Sequence, residues 1–475
     1  MNPRVAVVGG GVTGLATAYY LQKFFRENRV RAEVVLYEGS PRTGGIMDTE
    51  EAGGFILEKG PDSFITDKPR ALALSRELGL EKEIIGTNKA YRRSFIARSG
   101  KLLPVPEGFY LVAPLKSGSF LSSSIISLPG KLRMMAEPFL PAKKDWSDES
   151  VASFVRRRFG AEALNRVGQP MIGGIYTGDP ERLGLAATMP RFLRLERQYG
   201  SLTRGLQAEA RQKKSAATEA SGPRYSLFVS FRRGMRVFSD ALAAALPEGC
   251  VQTGRAIRAI RPVSGKAGWV LDLGPEGEGV YDAVCVTSSA RLASACLKES
   301  LPDISSKLSQ LSYESVATVN LGYEAAALKH PLNGFGFVVP KTEKKSVIAC
   351  SFSSRKFEGR APAGHVLLRA FVGGAFGREE LQKPDEEILA AVQNELSVYL
   401  GVRGKPVLTR FQRHDSAMVQ YAVGHLDWLS AVRESLPEGL YLAGASYDGV
   451  GIPDCVASAE AQAGKIFEML SEPKF

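Results

Sequence analysis

The chain has 475 residues, enough for two or three domains with ample cores, and 61 Lys and Arg against 50 Asp and Glu give it a formal net charge of +11. Five cysteines (Cys250, Cys285, Cys296, Cys350, Cys455) without a C-x-x-C pair, and four histidines without ligand spacing, argue against a disulfide scaffold and against a metal centre. No run of about 18 uncharged apolar residues appears, so no spanning helix is expected. The basic balance, lacking a basic tail, fits an anionic membrane surface or a carboxylate-bearing substrate better than nucleic acid.

A short apolar run, Val5 to Val8, enters Gly9-Gly10-Gly11-Val12-Thr13-Gly14, and a helical stretch from Leu15 to Phe25 leaves it. A second apolar run, Ala32 to Tyr37, ends on Glu38. This is the order of a dinucleotide-binding βαβ unit. Gly9 permits the tight turn, Gly11 lets backbone approach a pyrophosphate, and Gly14 allows helix and strand to pack closely. Free N–H groups at the helix start would face the phosphates, and Glu38 would accept from ribose hydroxyls. Because the pattern opens at Gly9, no cleavable leader is expected.

Next come Gly39, then Pro41-Arg42-Thr43-Gly44-Gly45-Ile46, then Gly60-Pro61-Asp62-Ser63-Phe64. An R-x-G-G turn adds backbone N–H groups and one cation near the pyrophosphate. That pattern points to FAD, which needs a longer surface than a nicotinamide cofactor.

Residues 85–205 alternate basic helical stretches with Pro-, Gly- and Ser-rich turns. Between Glu107 and Lys144 lie Phe109, Leu115, Phe120, Leu128, Leu132, Met135 and Phe139, with Lys116, Lys131, Arg133, Lys143 and Lys144. Such a segment suits a membrane interface, apolar side down, or equally a domain core with snorkelling lysines. Asp148 to Phe159 reads as a helix with an acid at its start and arginines at its end. Residues 208–223 read as a surface loop or a frayed helix end.

Regular structure resumes with a helix at Val237–Leu246, strands at Ala256–Ile260, Trp269–Leu273 and Ala283–Thr287, and a helix at Ser289–Leu297. Alternating segments at 314–323, 335–339, 346–352 and 366–373 form a sheet, and Glu386 to Leu400 a helix. The C-terminal part returns to the first theme. Leu440 to Leu442 is a strand, Gly444-Ala445-Ser446-Tyr447-Asp448-Gly449-Val450-Gly451-Ile452 a glycine loop, and Val456 to Leu470 a helix. A helix start after a glycine loop is a second anion or carbonyl site.

These residues resemble the amine-oxidase-like flavoenzyme superfamily, and within it the oxygen-dependent protoporphyrinogen oxidases. The resemblance covers nearly the whole chain. Its narrower motifs are Gly60-Pro61-Asp62-Ser63, Gly173-Gly174-Ile175-Tyr176-Thr177-Gly178-Asp179, Phe335 to Pro340, Gln420-Tyr421, and Gly444 to Cys455. It implies an α/β fold: a discontinuous Rossmann-like FAD domain, a mixed-sheet substrate domain, and a helical membrane-facing arm. The chain then divides at 1–85 (FAD), 86–205 (helical arm), 206–300 (FAD), 301–415 (substrate sheet) and 416–475 (FAD).

FAD would be non-covalent, since Ala443-Gly444-Ala445-Ser446 lacks the cysteine that members with a linked flavin carry. Gly9 to Gly14, Glu38, Gly39, Arg42, Gly45, Ile46, Gly60, Pro61, Asp62 and Ser63 would hold it. Ile257 would meet the adenine side, and Gly444, Ala445, Val450, Gly451 and Ile452 the flavin end. Val338 and Phe371 would sandwich a ring substrate, and the Gly174 carbonyl would accept from pyrrole N–H groups.

The family's arginine for a substrate carboxylate aligns on Ser94 without gaps, and a one-residue slip brings Arg93 there. His414 reads as a neutral packing residue or a donor near the flavin. The implied reaction is protoporphyrinogen IX to protoporphyrin IX with dioxygen as acceptor. No side chain needs to act as acid or base, because flavin N5 takes the hydride. Coproporphyrinogen III is the second reading, a flavin amine oxidase or desaturase the third, and a flavin-binding non-enzyme the fourth. Expected partners are the porphyrinogen, dioxygen and the membrane surface, but not nucleic acid. A homodimer stays open, and the expected place is the cytoplasmic face of the membrane.

Overall fold

The computed structural model describes residues 2–114, 117–219 and 227–471. Its first sheet has five parallel strands in the spatial order Val251–Thr253, Glu33–Glu38, Arg4–Val8, Ala283–Val286, Leu440–Leu442. The central strand is buried on both faces, which explains its unbroken apolar run. Val5 and Val7 pack under the first helix, Val12–Glu27, and the last, Ile452–Ser471. Ala6 and Val8 face a second layer that contains Trp269 and Leu271. The nucleotide unit therefore has three layers, and residues from both ends of the sequence build it.

Two expected strands go elsewhere. The strand expected at Ala256–Ile260 forms over Ala259–Pro262. With Trp269–Asp272 and Glu278–Tyr281 it makes a separate antiparallel sheet.

The second large sheet has seven strands in the order Leu408–Val419, Tyr313–Glu324, His365–Gly373, Val347–Ser351, Gly336–Val338, Ser94–Arg98, Lys101–Pro104. Gly336–Val338 and Ser94–Arg98 run parallel, and the other pairs are antiparallel. One face packs Val319, Phe337 and Val372 on Ile388, Val392 and Leu396 of the helix Asp385–Leu400. The hairpin Ser94–Pro104 falls in the stretch expected to be helical, yet it extends this sheet. Its apolar residues split between the two faces: Phe95 and Ala97 toward that helix, Ile96 toward the arm.

The arm packs its helices around Phe154, Val155, Phe192 and Leu195. The helix Val151–Phe159 begins at Ser150, whose Oγ accepts from Ser153 N–H at 3.0 Å. Asp148 is not its cap; that carboxylate instead accepts from Ala186 and Gly424 N–H. The helix Leu202–Glu219 occupies much of the expected 208–223 loop, and the rest of that loop (220–223) lies outside the described residues. Glu137, fully buried, caps this helix. It accepts from Leu202 N–H at 3.0 Å and Thr203 N–H at 3.2 Å, and it pairs with the equally buried Arg158.

The Glu107–Lys144 segment divides. Val112, Phe120, Ile125, Ile126 and Met134 are core, whereas Leu128, Leu132 and Phe139 are 66%, 61% and 81% exposed. Lys131 is buried and donates to the Leu121 carbonyl, and Leu115 and Lys116 lie outside the described residues. Among the described residues no helix is long and apolar enough to cross a membrane.

Candidate active site

The nucleotide cradle is built from backbone. Gly9 has φ +111°, and its N–H donates to the Tyr37 carbonyl at 2.8 Å. A Cβ on Gly14 would stand 1.8 Å from the Gly9 carbonyl oxygen, so only glycine lets the first helix approach its strand this closely. A Cβ on Gly10 would press on the Glu38 side chain at 2.8 Å. Gly11 differs, because a Cβ there meets nothing within 4 Å. Gly11 is also the N-cap of the first helix and has no side-chain cap. Bare helix N–H groups beside open space are what a pyrophosphate requires.

Glu38 is already engaged. It accepts from Gly10 N–H at 2.6 Å and from Ser40 N–H and Oγ at 2.8 and 2.7 Å. It thereby ties the glycine turn to the second strand. Arg42 is spent on its own loop, donating to the Thr43 and Gly45 carbonyls at 3.0 and 2.9 Å. Gly44 N–H bonds the Gly10 carbonyl at 2.8 Å, which lays the Arg42–Ile46 turn against the first one.

Gly39 packs on Ala256, and the Ile257 carbonyl accepts from the Cys296 thiol at 3.3 Å. The C-terminal glycine loop closes the cradle. A Cβ on Gly444 would lie 2.8 Å from Thr13 Oγ1, so this loop rests on the start of the first helix. Tyr421 Oη donates to the Ala445 carbonyl, and Val450 and Gly451 lead into the last helix, which begins at Ile452. That is four residues earlier than its expected start.

Gly60 lies against the Ile46 backbone so closely that a Cβ would fall 1.7 Å from the Ile46 carbonyl oxygen. A row of buried and half-buried side chains from the seven-stranded sheet holds the preceding backbone. Asn320 donates to the Glu58 carbonyl at 3.1 Å, Thr318 and His414 to that of Lys59 at 3.3 and 2.7 Å, and Arg369 to that of Gly60. Burial lowers the His414 pKa, so the ring is neutral and its Nε2–H donates. His414 thus grips the loop instead of filling space.

Of the loop that follows, Asp62 lines a cavity of about 270 Å³ between the sheet and the arm. Gly174, Val338 and Phe371 all line it, together with Ser94, Met171 and Cys350. Gly174 comes from the helix Gln169–Tyr176, Val338 and Phe371 from two strands of the sheet. Arg93 does not reach this cavity. Its side chain is exposed, and the register Ser94↔Gly336 turns Ser94 inward instead.

Two features had no signal in the sequence. Lys356 lines the cavity and grips Asp62, with Nζ 3.0 and 2.8 Å from the two carboxylate oxygens. Burial alone raises the Asp62 carboxyl, but Lys356, Arg369 and the Ser63 hydroxyl together hold it well below the usual carboxylate range. Arg369 stands 4.8 Å from the Phe371 ring, and its Nε is buried without a partner among the described residues.

A glycine cradle with bare helix N–H groups, joined to a mostly apolar cavity, defines a flavin-dependent oxidoreductase. The flavin containing amine oxidoreductase family model matches residues 12–467, and the chain belongs to that family. It is 33% identical over 460 residues to a coproporphyrinogen III oxidase of Bacillus subtilis, covering 96% of each chain. It is 31% identical to a chloroplastic protoporphyrinogen oxidase of Oryza sativa, over 98% of this chain and 88% of that one. A solved structure from Exiguobacterium sp. 255-15, described provisionally as a protoporphyrinogen oxidase, superposes with a TM-score of 0.85 at 28% identity over 98% and 99% of the two chains.

Proposed function

We propose that this chain binds FAD non-covalently and oxidises a porphyrinogen to the porphyrin, with dioxygen as final acceptor. The observation that carries the reading is the cavity in which apolar Val338 and Phe371 and the Gly174 backbone surround Asp62 of the Gly60–Ser63 loop. A bound flavin supplies the two-electron acceptor for a C–H bond of a ring bridge. The residues of the chain bind and orient the ring and keep water from the reacting face. Gly9 to Gly14 and Glu38 hold the nucleotide, and the loop from Gly444 to Ile452 supports the flavin end. Cys455, the cysteine of that region, is buried within the last helix, and Ala445 and Ser446 offer no thiol.

Protoporphyrinogen IX is the first candidate ring. Coproporphyrinogen III is the second, favoured by likeness to oxidases of that name in Bacillus subtilis and Propionibacterium freudenreichii, at 33% and 32% identity. The division into a discontinuous FAD unit, a sheet unit and an arm belongs to the same proposal. So does a peripheral membrane contact through exposed Leu128, Leu132 and Phe139 beside Arg133, Lys143 and Lys144.

The test is to purify the yellow protein, release its flavin by denaturation, identify it as FAD, and follow porphyrin fluorescence under air with each porphyrinogen. Faster turnover of one ring names the substrate. Oxidation of neither, or flavin that stays attached after denaturation, overturns the corresponding part.

A further inference from the structure

The substrate reading leaves a charge unanswered. A porphyrinogen of either kind carries propionates, ionised at neutral pH, and Arg93 does not reach the cavity. Among the described residues lining it, Lys356 is the sole cation and Asp62 the sole anion. Lys356 belongs to the short helix Ser353–Lys356 and is fixed at its base, where its carbonyl accepts from Asn88 N–H at 3.0 Å. Its side chain is 16% exposed, and the residue lines the cavity wall.

We propose that Lys356 receives a propionate carboxylate of the ring substrate and so selects for the free acid; this rests on the porphyrinogen reading above. An ammonium has three donors. The two contacts to Asp62 are the shorter, and the third, to Ser63 Oγ, is the longest at 3.2 Å. That third donor turns to the incoming carboxylate. Ser63 loses little, because its hydroxyl still donates to Asp62 Oδ1 at 2.7 Å.

Asp62 does not become an unsupported anion either, since Arg369 lies behind it and also lowers its pKa. The dyad then presents opposite poles to one molecule. Asp62 faces the N–H donors of the pyrroles, and Lys356 faces the carboxylate at the ring edge. Both poles sit beside Phe371 and Val338, which take the apolar faces of the ring.

The experiment compares protoporphyrinogen IX with its dimethyl ester on the purified flavoenzyme, for the wild type, Lys356→Met, Lys356→Gln and Lys356→Arg. Visible flavin absorbance reports that each variant is folded. Binding of protoporphyrin IX and of its diester, read by fluorescence quenching, supplies a measurement independent of turnover. In the wild type the diacid is preferred in KM by about tenfold or more, the range of one charge-assisted contact. Lys356→Met and Lys356→Gln collapse that preference in KM and in binding, and Lys356→Arg keeps it.

A preference that survives in the Met and Gln variants overturns the proposal. So does an equal loss of kcat on acid and ester, which assigns Lys356 to positioning Asp62 alone. A wild type that binds the diacid selectively yet oxidises no porphyrinogen sinks the reaction assigned above and leaves this carboxylate site standing. One that neither binds nor oxidises the ring sinks both.

Discussion

The cradle and the arm reach stability by different means. In the cradle the deciding groups are glycines and main-chain N–H and C=O, and the one acid involved, Glu38, is satisfied by backbone. In the arm they are buried charges: Arg158 and Glu137 are 1% and 0% exposed, and Arg157 joins Glu149 to fully buried Glu196. A backbone cradle stays rigid and leaves its N–H groups free for phosphate. A charged arm depends on every partner being present, because a buried ion that loses its mate retains the desolvation cost. Damage to the cradle should therefore appear as lost cofactor, and damage to the arm as lost folding.

The sharpest way to break that contrast is Glu137→Ala. It strands Arg158 and uncaps the helix Leu202–Glu219, and should cost about 3–5 kcal/mol. Thermal unfolding and limited proteolysis of the arm read this, and an unchanged Tm would contradict it. Gly14→Ala forces a methyl to 1.8 Å from the Gly9 carbonyl. It should cost about 1–3 kcal/mol or more as overpacking, with flavin content falling before the fold does. Glu38→Ala orphans the Gly10 and Ser40 donors, worth about 1–3 kcal/mol, and its signature is flavin lost on gel filtration while the Tm moves little.

Acid gives a gentler comparison. Burial pushes Glu137, Glu149 and Glu162 upward, but their arginine and hydroxyl partners win, and all three sit below 4.5 in the folded arm. Their stabilisation is complete above the unfolded value of 4.5 and is lost as pH falls through the lower folded values. Arm protease sensitivity should then rise below pH 4.5 ahead of flavin release; the reverse order would refute the contrast. Arg93→Ala is the smallest change. Exposed and away from the cavity, it should alter stability by no more than about 0.5 kcal/mol and leave KM as it was.

Much of the cradle could be read from residues alone because its demands are local. A glycine spacing, an acid after the second strand and a glycine loop before a helix each lie within a few positions. The apolar pair Val338 and Phe371 and the glycine at 174 came from resemblance, and the structure gathers them on one cavity. The contacts that escaped are distant. Lys356 and Asp62 stand 294 residues apart, and nothing near either names the other.

Ser94 and Arg93 show a different difficulty. They are neighbours in sequence, and in a strand a one-residue shift exchanges the cavity side for the outer side, so only the register with Gly336 decides. The hairpin at 94–104 was hidden because five-residue strands among basic residues carry little periodicity. The helix read from Asp148 starts instead behind the Ser150 cap, because the Asp148 carboxylate is taken up by tertiary contacts to Gly424 and Ala186.

The sheet of the cradle takes its edge strand, Leu440–Leu442, from a stretch about 400 residues after its second strand, Glu33–Glu38. At ribosomal speeds of about 5–20 residues per second, roughly 20 to 80 s separate the emergence of the two. Over that interval the first glycine turn exists without the loop at Gly444 that rests on Thr13. If the loop at Gly444 supports the flavin as proposed, cofactor capture is a late event, and yellow colour should mark a chain translated through its last helix. A ribosome that stalls anywhere in the arm or the large sheet releases a colourless fragment, which cellular proteases meet with no bound nucleotide to stiffen it.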